Sequence, residues 1–124
     1  MIYLDTHVVV WLYLGDMSKF SISAKAVINA HELKISPVVG LELTYLHEIG
    51  RLRPSAEIVL TYLVDRLRLK LCDIPFEQVI ASAMKQTWTR DPFDRIIVGH
   101  AAIQECDLVT KDAHIHNNYV RAIW

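Results

Sequence analysis

Short apolar runs alternate with segments of helical periodicity along this chain, and this alternation restricts the fold more than any other feature of the sequence. The runs occupy residues 2–4, 33–36, 69–72 and 108–110, and a candidate fifth covers residues 121–124. Short apolar strands that alternate with helices are typical of a parallel sheet covered by helices on both faces. We therefore expect an α/β fold with a central parallel sheet of four to five short strands.

The segments between these runs carry helix signals. Ser36 and Asp91 each precede a proline, which predicts a capping residue followed by proline at the first helical position. Apolar residues at helical spacing extend the prediction along the chain. The predicted helices cover about residues 6–14, 21–31, 36–50 and 75–85, and two more begin near residues 54 and 91.

Length and composition predict one packed domain spanning residues 1–124. No internal repeat, low-complexity tract or linker interrupts the 124 residues, and this length suits one domain. With 52% hydrophobic and 22% charged residues, the chain can build a core and is not of the disordered class. No apolar run approaches the roughly 18–20 residues that cross a bilayer. The first residues lack the basic region of a signal peptide, so we expect a cytoplasmic protein without a membrane segment.

The charge and the cysteines exclude further classes. Two cysteines, Cys72 and Cys106, are too few for a secreted disulfide framework, and we expect both to be buried thiols. The formal net charge of −1 provides no general attraction for nucleic acid. Contact with RNA or DNA would need a metal or a local patch of cations. The available cations are Arg51, Arg53, Arg66, Arg68, Lys70, Lys85, Arg90 and Arg95.

Four acidic residues occupy positions where a buried carboxylate would destabilise the fold unless a ligand or a partner group stabilises it. Asp5 and Asp112 follow predicted strands, whereas Glu42 and Asp94 lie on apolar faces of predicted helices. An unpaired buried carboxylate costs several kcal/mol. Ligands of parallel α/β sheets gather at the carboxyl ends of the strands, which is where two of these acids fall. Together the four predict a site for a hard divalent cation, which prefers oxygen ligands.

Each acid also has a simpler interpretation. Asp5 and Asp112 are placed to cap the helices that follow them. Glu42 could pair with an arginine or reach solvent from the end of the core, and Asp94 could compensate the dipole of its helix. Asp91, directly before Pro92, is better interpreted as a helix cap than as a member of the acidic set.

A site whose functional side chains are all carboxylates favours one type of reaction. Carboxylates around Mg²⁺ or Mn²⁺ position a water molecule and lower its pKa, which suits hydrolysis of a phosphodiester. No Ser-His-Asp arrangement, glycine-rich phosphate loop, HExxH motif or zinc spacing competes with it. His114 and His116 form a weak local pair that we interpret as exposed loop polarity.

In order along the chain, four segments resemble the PIN-domain nucleases and, in length and in the stretch at residues 91–95, the VapC-type toxins of bacterial toxin–antitoxin pairs. The segments are Tyr3-Leu4-Asp5-Thr6-His7, Val38-Val39-Gly40-Leu41-Glu42-Leu43, Asp91-Pro92-Phe93-Asp94-Arg95-Ile96-Ile97 and Leu108-Val109-Thr110-Lys111-Asp112. The resemblance implies a three-layer α/β/α PIN-like fold. It also implies an Mg²⁺- or Mn²⁺-dependent endoribonuclease that hydrolyses single-stranded regions of RNA.

The resemblance further implies roles for individual residues and partners. The catalytic residues and metal ligands would be Asp5, Glu42, Asp94 and Asp112. Thr6 and Thr110 would support the site. Arg95 would orient Asp94, contact phosphate, or serve as a structural ion-pair partner. A homodimer and inhibition by a cognate antitoxin are implied as well.

Two other functions remain open from the sequence. The chain could be a PIN-type nuclease of RNA processing or DNA metabolism, or an inactive RNA- or partner-binding module whose acids only cap helices. Tyr62, Trp88 and Trp124 are large aromatic residues that either join the core or form an interface with a partner.

Overall fold

The computed structural model describes all residues from Met1 to Trp124. Its centre is one five-stranded sheet in which every neighbouring pair of strands is parallel, in the order β3-β2-β1-β4-β5. The strands are β1 (Ile2–Leu4), β2 (Leu33–Ile35), β3 (Lys70–Leu71), β4 (Asp107–Val109) and β5 (Ala122–Ile123). The α/β fold class and the parallel sheet are confirmed.

Seven α-helices connect and cover the strands, and a short 3-10 turn spans Met17–Lys19. The helices are α1 (Thr6–Leu14), α2 (Ile22–Ala30), α3 (Val38–Glu48), α4 (Ala56–Leu67), α5 (Phe76–Met84), α6 (Pro92–Ile103) and α7 (Ala113–Asn118). None of them is both long and apolar enough to cross a membrane.

Local capping explains where several helices begin and end. Ser21 and Ser55 cap α2 and α4, since each hydroxyl accepts a hydrogen bond from the backbone N–H three residues later. Gly15 ends α1 in the left-handed conformation, with φ of 70°, which suits glycine because it lacks a Cβ. These short-range signals are the ones that the sequence displays, so the predicted helix limits are close to the observed ones.

The core is continuous and lies on both faces of β1. Ile2, Tyr3 and Leu4 are all buried, as expected of a central strand of a sheet covered on both faces. Cys72 and Cys106 are buried free thiols, as predicted. Trp88 and Trp124 are partly buried against the core, whereas Tyr62 remains exposed.

Two predictions for the fold were wrong. His114 and His116 are exposed, as predicted, but they lie in the helix α7 and not in a loop, and Ile115 between them is fully buried. The ring Nε2 of His116 lies 2.6 Å from the carbonyl oxygen of Thr110 and ties α7 back to β4. Neither α7 nor the 3-10 turn was predicted, because each is too short to show a helical period.

The buried face of α3 also differs from the predicted one. Helical spacing from residue 36 puts Leu41, Tyr45 and Ile49 on an apolar face with Glu42 near its middle, but all three are exposed, whereas Val39 and Leu43 are buried. Glu42 therefore lies beside the buried face, half-buried, where its carboxylate reaches the end of β1.

Candidate active site

Four chain segments bring the predicted acids to the carboxyl edge of the sheet. Asp5 follows β1 directly and Asp112 follows β4 after two residues, while Glu42 projects from α3 and Asp94 lies in the first turn of α6. Because β1 and β4 are neighbouring parallel strands, the ends that carry Asp5 and Asp112 meet at the same edge.

Asp5 is buried and both of its carboxylate oxygens accept hydrogen bonds. Oδ1 accepts from the backbone N–H of Thr6 at 2.7 Å, so Asp5 caps α1. Oδ2 accepts from the hydroxyl of Thr110 at 2.7 Å. Charge-assisted hydrogen bonds of this kind hold a buried carboxylate in one orientation. The capping interpretation of Asp5 is therefore correct, and the same carboxylate is also fixed across the sheet.

Glu42 is joined to the start of α1. The hydroxyl of Thr6 donates a hydrogen bond to Oε1 of Glu42. Burial raises the pKa of Glu42; the Thr6 hydroxyl opposes this, and the charges of Asp5 and Asp91 add to it. No arginine or lysine forms an ion pair with Glu42, so the interpretation as a buried Glu–Arg pair is wrong.

Asp94 is the least compensated of the four acids. Its carboxylate accepts no hydrogen bond and forms no ion pair, although the residue is half-buried. Burial raises its pKa from 3.8 to about 7, and the charges of Asp91, Asp5, Asp112 and Glu42 act in the same direction. A carboxylate left without a partner among like charges is destabilising unless a cation offsets it.

Asp112 and Asp91 both cap helices. Oδ1 of Asp112 accepts from the backbone N–H of Ile115 at 3.0 Å, so Asp112 begins α7. Oδ1 of Asp91 accepts from the N–H groups of Phe93 and Asp94, which confirms Asp91 as the cap of α6. The capping role of Asp112 leaves its second oxygen available for other contacts.

The site contains a residue to which sequence reasoning gave no role. His7 lies in the first turn of α1; its Nε2 accepts a hydrogen bond from the backbone N–H of Lys111 at 2.9 Å, and its Nδ1 lies 3.6 Å from Oδ2 of Asp5. Burial lowers the pKa of His7, Asp5 and Asp112 oppose this, and Lys111 acts with burial. A neutral imidazole therefore ties the loop that carries Asp112 to the helix that Asp5 caps. The available signal was its position two residues after Asp5.

Arg95 contacts the end of α5 and not Asp94. Its Nε donates to the carbonyl of Ala83 at 3.1 Å, and a terminal nitrogen donates to the carbonyl of Met84 at 3.0 Å. These carbonyls end α5, where cations are favourable. Arg95 makes no ion pair and no hydrogen bond to Asp94, so the structure does not support its use as an orienting group or ion-pair partner.

Comparison with models of protein families shows which family the chain belongs to. The model of the PIN domain matches residues 2–120. The chain belongs to the PIN-domain family. It is 28% identical over 118 residues to Ribonuclease VapC22 of Mycobacterium tuberculosis, which covers 93% of this chain and 89% of that protein.

Solved structures share the fold of this PIN domain. A crystal structure of VapBC2 from Rickettsia felis, bound to a DNA fragment from their promoter, superposes with a TM-score of 0.69 at 18% identity and covers 94% of this chain and 92% of the other. A toxin–antitoxin complex from Klebsiella pneumoniae gives a TM-score of 0.65 at 15% identity, with coverage of 100% and 97%. Together with the family match, they confirm the predicted three-layer PIN-like fold.

The donor set of this PIN domain fits a hard divalent cation. Carboxylate oxygens are the ligands that Mg²⁺ and Mn²⁺ prefer, and Asp94 offers both oxygens without a competing hydrogen bond. No three His, Cys, Asp or Glu side chains lie close enough together here to hold an ion. Coordination by three of the acids would require at least one of them to rotate toward the others, whereas Mg²⁺ is commonly held by one or two carboxylates with water completing its shell.

Two cavities flank this region of the PIN domain. An open groove of about 310 Å³ is lined by His7, Trp11, Lys111 and Asp112. A larger cavity of about 380 Å³ is mainly apolar, lies against α3, α5 and α6 and contains none of the four acids. His100 lines it; burial lowers the pKa of His100, while its interaction with the backbone of Ile96 opposes this.

Proposed function

We propose that this chain is a metal-dependent endoribonuclease that hydrolyses phosphodiester bonds in single-stranded regions of RNA, with residues 1–124 acting as a single nuclease domain. The carboxylate of Asp94 carries the proposal, because it is half-buried, has no partner, and faces the negative charges of Asp5, Glu42 and Asp112. Carboxyl groups whose pKa is strongly raised by burial and by neighbouring acids are typical of functional sites.

Asp5, Glu42, Asp94 and Asp112 are the proposed catalytic residues and metal ligands. Thr110 and Thr6 position two of them, since their hydroxyls donate to Asp5 and Glu42. Groups that orient metal ligands affect metal affinity and rate almost as strongly as the ligands do.

The ion in this proposal is Mg²⁺ or Mn²⁺. When bound, it would lower the pKa of a coordinated water molecule and offset negative charge on the phosphodiester. The acids of the chain would hold it, and Asp5 would keep its orientation through the Thr6 and Thr110 hydrogen bonds. Asp94 would ionise fully once a cation lies beside it, because an opposite charge lowers the pKa of a carboxyl group.

We infer that the biological role is that of the toxin in a type II toxin–antitoxin pair, acting in the cytoplasm. Two observations support this: the similarity to a protein named Ribonuclease VapC22 and the fold shared with proteins solved as toxin–antitoxin complexes. A cognate antitoxin protein is the proposed partner.

A homodimer is the proposed assembly. Leu41, Tyr45 and Phe76 are large apolar residues with 61%, 50% and 69% of their surface exposed. Leu41 and Phe76 line the same apolar cavity and Tyr45 lies one helical turn after Leu41, so the three form a connected apolar surface of the kind found at interfaces. Light scattering at high micromolar concentration tests this; a monomer under those conditions would contradict the dimer.

The direct test of the activity is cleavage of a single-stranded RNA with Mg²⁺ or Mn²⁺, compared with EDTA. Asp94→Asn and Asp5→Asn should lose cleavage, whereas Asp65→Asn, an exposed acid of α4, should retain it. Equal cleavage by wild type and Asp94→Asn would show that the acids are not the site. Cleavage of DNA but not RNA would favour a nuclease of DNA metabolism.

Metal binding and the biological role need separate measurements. Isothermal titration with Mn²⁺ should show binding to wild type and weakened binding to Asp94→Asn; no binding to wild type at millimolar metal would favour a module without activity. Induction of the gene should arrest growth, and co-expression of the neighbouring antitoxin should relieve the arrest.

A further inference from the structure

We propose that the groove formed by His7, Trp11, Lys111 and Asp112, with Lys19 at its rim, binds the phosphate of an RNA nucleotide next to the bond that is cleaved. This inference rests on the proposed ribonuclease function and adds a substrate-binding site to it. The groove shares Asp112 with the proposed catalytic acids, but its contacts with the phosphate would come from the ammonium groups of Lys111 and Lys19.

The groove adjoins the proposed catalytic acids directly. Asp112 lines it, and Lys111 precedes Asp112 in the chain. Its volume of about 310 Å³ is at the lower end of the roughly 300–1,000 Å³ typical of ligand sites. The groove is shallow and widely open to solvent, so an extended strand of RNA could lie across it.

Two ammonium groups converge on one aromatic ring in this groove. Nζ of Lys19 lies 5.4 Å from the centre of the Trp11 ring, and Nζ of Lys111 lies 6.0 Å from it. Trp11 is itself held by edge contacts with Phe20 and Trp124. Cation–π contacts of this kind place the ammonium groups without neutralising them, so both remain available to a phosphate.

The backbone of Lys111 is held in place as well. Its N–H donates to Nε2 of His7 at 2.9 Å. Lys111 therefore projects from a loop segment that is tied to α1, and it lines the groove together with Asp112, one of the four proposed catalytic acids. A phosphate held there would lie next to the proposed metal site.

Several other cations are already occupied. Arg95 and Arg90 donate to backbone carbonyls. Lys70 pairs with Glu32 and Arg121 pairs with Asp107. Neither Lys19 nor Lys111 forms an ion pair with any carboxylate of the chain, although Lys111 directly precedes Asp112.

An acidic site needs such cations to admit a polyanion. The chain has a net charge of −1 and gathers four acids at one edge, so RNA meets repulsion where it must bind. Lysines that contact phosphate release condensed counterions and give binding its dependence on salt. Lys111, which lies beside Asp112, and Lys19, which lies over the neighbouring Trp11 ring, are two unpaired cations that could supply this compensation locally.

The binding test uses protein that cannot cleave, so that it does not depend on turnover. A labelled single-stranded RNA is titrated with Asp94→Asn by fluorescence anisotropy, at several salt concentrations, alone and combined with Lys111→Ala or Lys19→Ala. Each lysine variant should weaken binding several-fold and reduce the slope of log affinity against log salt by about 0.7, the value for one phosphate contact on a single strand. Lys111→Arg should restore most of the affinity.

The control is Lys85→Ala, which removes an exposed lysine at the end of α5 and should change neither affinity nor slope. In the otherwise wild-type enzyme, Lys111→Ala should raise KM more than it lowers kcat. Unchanged RNA affinity and slope in both lysine variants would overturn the inference, as would an equal loss in Lys85→Ala.

Failure of the inference is distinguishable from failure of the proposed function. If wild type cleaves RNA but the lysine variants match it in KM and salt slope, the function stands and the groove is not the phosphate site. If polyglutamate binds in a lysine-dependent way and RNA does not, the groove receives an acidic protein segment, and the inference is wrong.

Discussion

Thr110 donates a hydrogen bond from its hydroxyl to Oδ2 of Asp5 at 2.7 Å, joining residues that are 105 positions apart in the chain. Thr110 is fully buried and Asp5 nearly so. The same hydroxyl oxygen accepts from the backbone N–H of Asp112 at 3.1 Å. One side chain thus orients one proposed metal ligand and fixes the backbone of another.

Thr110→Val should lower both stability and activity. It leaves a buried carboxylate oxygen without its donor, which should cost about 1–3 kcal/mol in the free energy of unfolding. Cleavage should fall about 10–100-fold, as for other groups that orient metal ligands. Urea denaturation and RNA cleavage measure the two effects. Thr61→Val, at an exposed position of α4, is the control, and equal stability of Thr110→Val and wild type would contradict the role of this hydrogen bond.

Asp94→Asn should stabilise the metal-free protein. The folded-state pKa of Asp94 is raised to about 7, so the folded protein binds its proton more tightly than the unfolded chain does. Wild type therefore loses stability as pH rises from about 4 through about 7, and the asparagine variant does not.

In EDTA, Asp94→Asn should increase the free energy of unfolding most above pH 7. The increase there should be about 1–2 kcal/mol once solvent screening is allowed for, and it should be smaller at pH 5. Denaturation of both proteins at pH 5 and pH 8 measures it. Asp65→Asn should show no such trend. A variant that is less stable than wild type at pH 8 would show that Asp94 is compensated by a partner.

Asp91 and Asp94 should respond to substitution in opposite ways. Asp91→Ala removes the cap of α6 and should cost about 1 kcal/mol of stability, while cleavage by the folded protein should persist. Asp91→Asn should be close to wild type in stability, because asparagine caps well. Thermal denaturation with a cleavage assay distinguishes the pair, and loss of cleavage in a stable Asp91→Asn protein would place Asp91 among the catalytic acids.

Replacing two helical glycines by alanine should change stability in opposite directions. A Cβ at Gly99 would lie 3.0 Å from the backbone nitrogen of Ala83, where α5 and α6 pack closely, whereas a Cβ at Gly40 would meet Leu60 at an ordinary 3.6 Å. Gly99→Ala should destabilise by about 1–3 kcal/mol through overpacking. Gly40→Ala should stabilise by about 0.5–1 kcal/mol through helix propensity. Urea midpoints measure both changes, and a stabilised Gly99→Ala would mean that α5 shifts freely.

Much of the fold could be predicted because its signals are local. The strand at residues 2–4, the helix at residues 6–14 and the Asp91 cap follow from short apolar runs and capping residues, whose effects extend over only a few positions. The short helix α7 was missed because six residues do not show a period. The face of α3 was misplaced because the elements that cover it are distant in the chain.

By itself, the sequence predicted the alternation of strands with all the helices except α7, the edge of the sheet near which Asp5 and Asp112 follow their strands, and the four acids as a candidate set. Only the tertiary structure decided that Thr110 holds Asp5, that His7 holds Lys111, that Arg95 caps α5, and that Lys19 and Lys111 remain unpaired. Capping and periodicity depend on neighbours in the chain, whereas these contacts depend on which side chains the parallel sheet brings together, and no local spacing encodes that.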